Sequence, residues 1–157
     1  TRLIDSSLHA AQRSGDTMCF VMIDIDLFKA VNDTHGHPAG DQVILALARL
    51  MQQRLRASDI IGRYGGEEFA LILQDTSVEH TAELVDTLRE AFSQIQFYSS
   101  LSDFKCSFSA GIACFPHHDQ LEFLREAADK ALYLAKHQGR NQIVIDSTKT
   151  RGKGDYE

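Results

Sequence analysis

The chain has 157 residues, 43% of them hydrophobic and 24% charged, with only two prolines. That length supports one domain with a proper core rather than two, and the composition excludes a disordered or low-complexity chain. A net charge of −6 excludes a broad grip on nucleic acid, which needs a basic face, but leaves room for a small anionic ligand held by a few cations and a metal.

Residues Arg2 to Gln12 carry a weak helical pattern that ends in Arg13-Ser14-Gly15-Asp16. MCFVMID, Met18 to Asp24, is almost wholly apolar and predicts a central strand buried on both faces. The next apolar stripe, Ile44, Leu47, Ala48, Met51 and Leu55, has helical spacing, with Pro38 near the helix start where a missing amide costs little. DIIGRY and EEFALIL flank Gly65-Gly66 and predict a β-hairpin whose turn needs positive φ. Thr76 and Glu79 are spaced as a capping box for a helix carrying Val78, Val85, Leu88, Phe92 and Ile95. Phe104 to Phe115 reads as a strand region, and from Asp119 a helix runs with Leu121, Leu124, Ala128, Ala131 and Ala135 on one stripe, Gly139 being its C′ residue. QIVI, Gln142 to Ile145, is a last short strand, and residues 147–157 are expected to fray. The order strand, helix, hairpin, helix, strand, helix, strand predicts an α/β sandwich with one mixed sheet and helices mainly on one face.

Cys19, Cys106 and Cys114 lie far apart without a CxxC, as small core residues of a reduced, cytoplasmic protein do. The seven histidines show no metal-ligand spacing, and His117-His118 beside Pro116 reads as a loop. No stretch reaches membrane-spanning length and the N-terminus lacks a signal-peptide pattern, so no membrane contact is expected from this fragment, although a longer parent could be anchored.

The carboxylates raise the functional question. Asp24 and Asp26 end the first strand, and Glu67 and Glu68 open the second strand of the hairpin. If the strands are neighbours, these acids repel one another unless a cation neutralises them, and a hard, oxygen-preferring Mg²⁺ suits them. Taken singly, each is more simply a solvated strand end; the joint pattern is what favours a metal. Asn32 and Asp41 together could read a guanine edge, though each alone is ordinary turn or helix-start chemistry. Lys136 and Arg140, four apart across a helix end, complement the dipole in any case and could also clamp phosphate.

Three stretches, DIDLFKAVNDTHGHPAGD, RYGGEEF and ADKALYLAKHQGRN, in that order, strongly resemble the GGDEF-domain diguanylate cyclases. The resemblance covers about Met18 to Ile145, and the expected single domain is residues 1–146. It implies a ferredoxin-like palm of the nucleotidyl-cyclase type, α+β, with a mixed, mostly antiparallel sheet flanked by helices. It implies condensation of two GTP into cyclic di-GMP with release of two pyrophosphates, using Mg²⁺ or Mn²⁺. Asp24 and Glu67 would hold metal with the Ile25 carbonyl, and Glu68 would join them or activate the 3′-hydroxyl. Gly65 and Gly66 would admit the nucleotide closely, Phe28 and Lys29 would contact phosphate, Asn32 and Asp41 would read guanine, and Lys136 and Arg140 would hold the terminal phosphates. Two bonds form between two nucleotides, so the active species would be a two-fold homodimer.

RASD, Arg56 to Asp59, is separated from Gly65 by five residues and matches the family's R-x-x-D site for inhibitory product, with Arg89 as a further contact. The family's D-x-L-T-G-L-x-N-R-like opening is absent, and TRLIDSS resembles a start just past it. The expectation is therefore a domain taken from a longer signalling protein, with weakened dimerisation. The alternative is a non-catalytic GTP or cyclic di-GMP binding module. An unrelated Mg²⁺-dependent phosphohydrolase using the D-x-D ranks last, because it gives Gly65-Gly66, Asn32 and Lys136 no role.

Overall fold

The computed structural model describes residues 9–11 and 13–147. Both the weak N-terminal helix, apart from the helical residues 9–11 and 13–14, and the expected C-terminal fraying fall outside this range. Five strands form the main sheet: β1 (Met18–Ile25), β2 (Ile60–Arg63), β3 (Glu68–Gln74), β6 (Phe108–Phe115) and β7 (Ile143–Ile145). Their order is β2-β3-β1-β6-β7, with every pairing antiparallel except β6 with β7. Four helices accompany them: α1 (Phe28–His35), α2 (His37–Arg54), α3 (Val78–Gln94) and α4 (Leu121–His137). The mixed, mostly antiparallel sheet flanked by helices is as expected.

The apolar run of β1 is buried at every position because helices cover both sheet faces. Cys19, Val21, Ile23 and Ile25 pack with Val43, Leu47 and Met51 of α2 and Val85, Leu88 and Phe92 of α3. Met18, Phe20 and Met22 pack with Leu124, Ala127, Ala128 and Leu132 of α4. Helices α1, α2 and α3 thus share one face, in line with the expectation of helices mainly on one face, and α4, with its small-residue stripe, covers the other. Gly111 of β6 makes this contact close, since a Cβ there would overlap the Ala128 carbonyl oxygen and the Leu132 nitrogen.

Local details also depart from expectation. Ser77, not Thr76, caps α3, its hydroxyl accepting from the His80 amide at 3.0 Å. Thr76 is held back by its own amide, which donates to the Thr17 carbonyl. Gly65 and Gly66 keep ordinary rather than left-handed backbone; among the described residues the positive-φ glycines are Gly15, Gly36 and Gly139. Gly36 separates α1 from α2, and Gly139 follows the Gln138 cap of α4 as expected. A two-residue pair, β4 (Phe97–Tyr98) with β5 (Asp103–Phe104), forms a separate small sheet.

Cys19 and Cys114 face each other across β1 and β6 and form a disulfide, which corrects the expectation of three free core thiols. Cys106 is free and buried, and burial first, with the Asp26 charge second, pushes its thiol up to about 11. The expected result is no thiol labelling of the native protein at neutral pH and one labelled thiol after unreduced denaturation. Counting alkylated cysteines by mass spectrometry checks both numbers.

Candidate active site

Asp24 and Glu68 are direct cross-strand partners at the end of β1 and β3. Antiparallel partners on one face place their Cβ atoms about 4.5–5.5 Å apart, so two like charges meet there. Glu67 completes the group through the turn, its carbonyl accepting from the Ile25 amide at 3.2 Å. Asp24 is buried, whereas Glu67 and Glu68 are half-buried at the strand mouth. Burial raises the Asp24 carboxyl above its ordinary range, the hydrogen bond and charge of Lys136 pull it down, and Glu67 and Glu68 raise it again. This all-oxygen set at a solvent-open mouth has the donor chemistry of a hard divalent cation.

The turn above is open. A Cβ on Gly66 would meet nothing within 4 Å, and one on Gly65 would only reach the Glu68 Oε2 at 4.0 Å. With neither positive φ nor crowding, the fold does not require glycine at either position, and the space above the carboxylates is what two side chains would fill. Arg63, which sequence reasoning missed, holds this turn: its Nε and Nη2 donate to the Gly65 and Gly66 carbonyls at 3.1 and 2.8 Å. Its signal was its place one strand-end before the turn, but a fork onto carbonyls has no sequence signature.

Beside the turn, Asp41, Ile44, Leu45, Ala48, Ile61, Arg63 and Phe69 line a 460 Å³ cleft between α2 and the hairpin. Asn32 reaches the same helix start. Its Oδ1 lies where a Gly40 Cβ would stand, and the Phe28 ring would be 3.1 Å from that atom. Gly40 is therefore a second missed residue, since it lets Asn32 lie against α2 next to Asp41. Phe28 and Lys29 open α1, whose Leu27 cap residue is in the left-handed region (φ 54°) and offers no side-chain cap. The first-turn amides there are unclaimed by any cap and suit an anion.

From the other face, α4 brings Lys136 onto Asp24, with Nζ donating to Oδ2. Arg140 follows α4 after Gln138 and Gly139, in a turn where both Arg140 (φ 61°) and Asn141 (φ 48°) are left-handed. That conformation is unfavourable for an arginine, and neighbours hold it. The Asn141 amide donates to Asp26 Oδ2 at 3.0 Å, and Asn141 Oδ1 accepts from Arg89 Nη1 at 2.8 Å. Asp26 also accepts from the Ser107 and Ser109 hydroxyls at 2.7 and 2.6 Å. Asp26 is thus a framework acid whose oxygens are taken up by its neighbours, which sets it apart from Asp24 in the D-x-D.

Arg56 and Asp59 form a compact unit at the other end of the sheet, with Arg56 Nη2 3.2 Å from Asp59 Oδ1 and also donating to the Gln74 carbonyl. Gln74 pairs with Met18, roughly 26 Å along β1 from Asp26 at the strand's 3.3 Å rise per residue. Arg89 bonds Asp86 and Asn141 near Asp26, so the chain does not bring it to Arg56 and Asp59. The expected grouping of the three is corrected: α3 directs Arg89 to the turn carrying Arg140.

Comparison with known proteins identifies the family. The profile of the family "Diguanylate cyclase, GGDEF domain" matches residues 1–142. Diguanylate cyclase DgcP of Pseudomonas aeruginosa is 37% identical over 142 residues, which is 90% of this chain and 21% of that protein. Diguanylate cyclase DosC of Escherichia coli is 35% identical over 136 residues, 86% of this chain and 30% of that protein. The chain thus spans under a third of either relative. Among solved structures, the active GGEEF domain of a diguanylate cyclase from Vibrio cholerae superposes with TM-score 0.85 at 33% identity, covering 92% of each chain. The GGDEF domain of DgcB from Caulobacter crescentus, in complex with c-di-GMP, gives 0.84 at 31% identity, covering 92% of this chain and 86% of that one. With a profile match over nine-tenths of its length and the acidic strand mouth in place, the chain belongs to the diguanylate cyclase GGDEF-domain family.

Proposed function

We propose that this chain is a competent diguanylate cyclase domain, condensing two GTP into cyclic di-GMP with release of two pyrophosphates. The observation that carries the reading is the Asp24–Glu68 cross-strand pair beneath an open glycine turn. A divalent cation, Mg²⁺ or Mn²⁺, held by Asp24, Glu67, Glu68 and the Ile25 carbonyl, would neutralise phosphate charge and lower the pKa of the attacking hydroxyl. Glu68 either stays on the metal or accepts the 3′-hydroxyl proton as that oxygen attacks the α-phosphorus of the facing nucleotide and pyrophosphate leaves. Asn32 and Asp41 read guanine at the cleft beside α2, Gly65 and Gly66 admit the nucleotide, the opening of α1 at Phe28 and Lys29 cradles phosphate, and Lys136 and Arg140 take the terminal phosphates. One domain presents one GTP, so turnover needs a homodimer with the two mouths facing.

No described helix is long and apolar enough to cross a membrane. A cytoplasmic site of action, where the GTP pool lies, belongs to this proposal. Mass spectrometry of nucleotides after incubating concentrated protein with GTP and Mg²⁺ tests it: cyclic di-GMP supports the cyclase, and a protein that neither forms it nor binds GTP refutes the reading.

Product feedback at Arg56 and Asp59 is part of the same proposal. The pair is preorganised, with the Arg56 amide also donating to Asp59 Oδ2 at 2.9 Å, and it presents an exposed guanidinium fork suited to a phosphate or a guanine edge. Arg56→Ala is expected to leave initial turnover within about twofold while raising the cyclic di-GMP needed for half inhibition at least tenfold, on the order of one charge-assisted hydrogen bond or more. Progress curves with added product check this, and unchanged inhibition would remove the site.

A further inference from the structure

We propose that His117, His118 and Asp146 form a second cation site, suited to a borderline metal such as Zn²⁺, at the end of the sheet opposite the acidic mouth. One ligand atom from each residue, two imidazole nitrogens and a carboxylate oxygen, lie within 4.8 Å of one another. Nothing in the sequence spacing announces this, because Asp146 follows His118 by 28 residues. Parallel pairing supplies the approach: Ile145 lies beside Ile112, and the Asp146 amide donates to the Ile112 carbonyl at 2.7 Å.

Two of the ligands are already fixed. His118 is fully buried, the Asp146 carboxylate is 3% exposed, and His118 Nε2 lies 2.7 Å from Asp146 Oδ2. The His117 ring meets that of His118 edge-on, with centroids 4.7 Å apart, and remains exposed. Two nitrogens and one oxygen do not suit Mg²⁺, which prefers an octahedral oxygen shell, but they do suit Zn²⁺ with an open fourth position for water. Tetrahedral bonds of about 2.0–2.1 Å place ligand atoms about 3.3 Å apart, so the buried pair would open by about 0.6 Å and His117 would swing inward by up to about 1.5 Å. The second is a surface side-chain motion.

The site would act as a clip. His118 lies in the turn before α4 and Asp146 directly follows β7, a three-residue edge strand paired only with β6 among the described strands. A metal there would tie both elements to the sheet at the end away from Lys136, Arg140 and Asn141, which they also carry. Its signature is stability rather than chemistry.

The test uses the tag-free, chelator-stripped chain with Asp24→Asn and Glu68→Gln, which silence the acidic mouth. Calorimetric titration with Zn²⁺ is expected to find one equivalent per chain, with a rise in Tm at saturation. Co²⁺ should give the intense visible bands of a tetrahedral site, a readout also available on the otherwise unmutated chain. His117→Ala, an exposed change the fold tolerates, should weaken Zn²⁺ binding at least about tenfold and remove the Tm rise, since losing a ligand costs no less than losing its outer-shell support. No Zn²⁺ binding by the parent protein, or equal binding by His117→Ala, overturns the proposal.

Discussion

Glu68→Ala is expected to lower cyclic di-GMP synthesis by at least about 10²–10³-fold, or roughly 2.7–4 kcal/mol of transition-state stabilisation, the range for removing one electrostatic group aimed at a reacting centre. The fold should not suffer. Glu68 is half-buried at a strand mouth, faces Asp24 across β1 and β3, and contributes to holding the Asp24 carboxyl above its ordinary range. Its removal relieves repulsion around Asp24, so Tm should hold or rise slightly. Product formation and thermal melting, measured side by side, separate the two effects. A fall in Tm together with the lost activity would reassign Glu68 to the framework.

Gly111→Ala should have the opposite profile. The added methyl would overlap backbone atoms of Ala128 and Leu132 and stand 3.0 Å from the Ala131 carbonyl carbon, and backbone cannot rotate aside as a side chain can. Overpacking of this kind costs about 1–3 kcal/mol or more, and the upper figure is expected here because helix and sheet must part. For a domain of this size that lowers Tm by roughly 6–12 °C. Gly66→Ala is the matched control: it has open space and ordinary backbone, so stability should stay within about 0.5 kcal/mol while GTP binding weakens. The two glycines are thereby distinguished, one required by packing and the other by a ligand. Equal melting temperatures for Gly111→Ala and the parent would contradict the close helix–sheet contact.

Much of this was readable from the residues. The unbroken apolar run of β1 predicts burial on both faces, and the stripe from Leu121 to Ala135 predicts the helix α4. The acidic pair was legible as chemistry because two separate stretches, Asp24 and Glu67-Glu68, needed one explanation, and antiparallel register supplies it. What escaped was whatever depends on partners distant in sequence. Asp26 looked like a twin of Asp24 until Ser107, Ser109 and Asn141 took up its oxygens. Arg89 looked free for product until Asn141 claimed it. The short α1 buries only Val31, too little for a periodic signal, and the pairing of Cys19 with Cys114 requires knowing that β6 returns beside β1.

The contact between Lys136 and Asp24 sets an ammonium inside the acidic mouth. On the proposed reading, loading the site would be an exchange rather than an addition: an arriving cation would take Asp24 from an ammonium, and the ammonium, displaced with its three N–H donors intact, would face whatever anion came with that cation. A bare metal ion would have to compete with the lysine, whereas a metal arriving with a polyphosphate would offer the lysine a new partner in the same move. Selectivity for the complex over the free ion would then rest on a single side chain that changes hands.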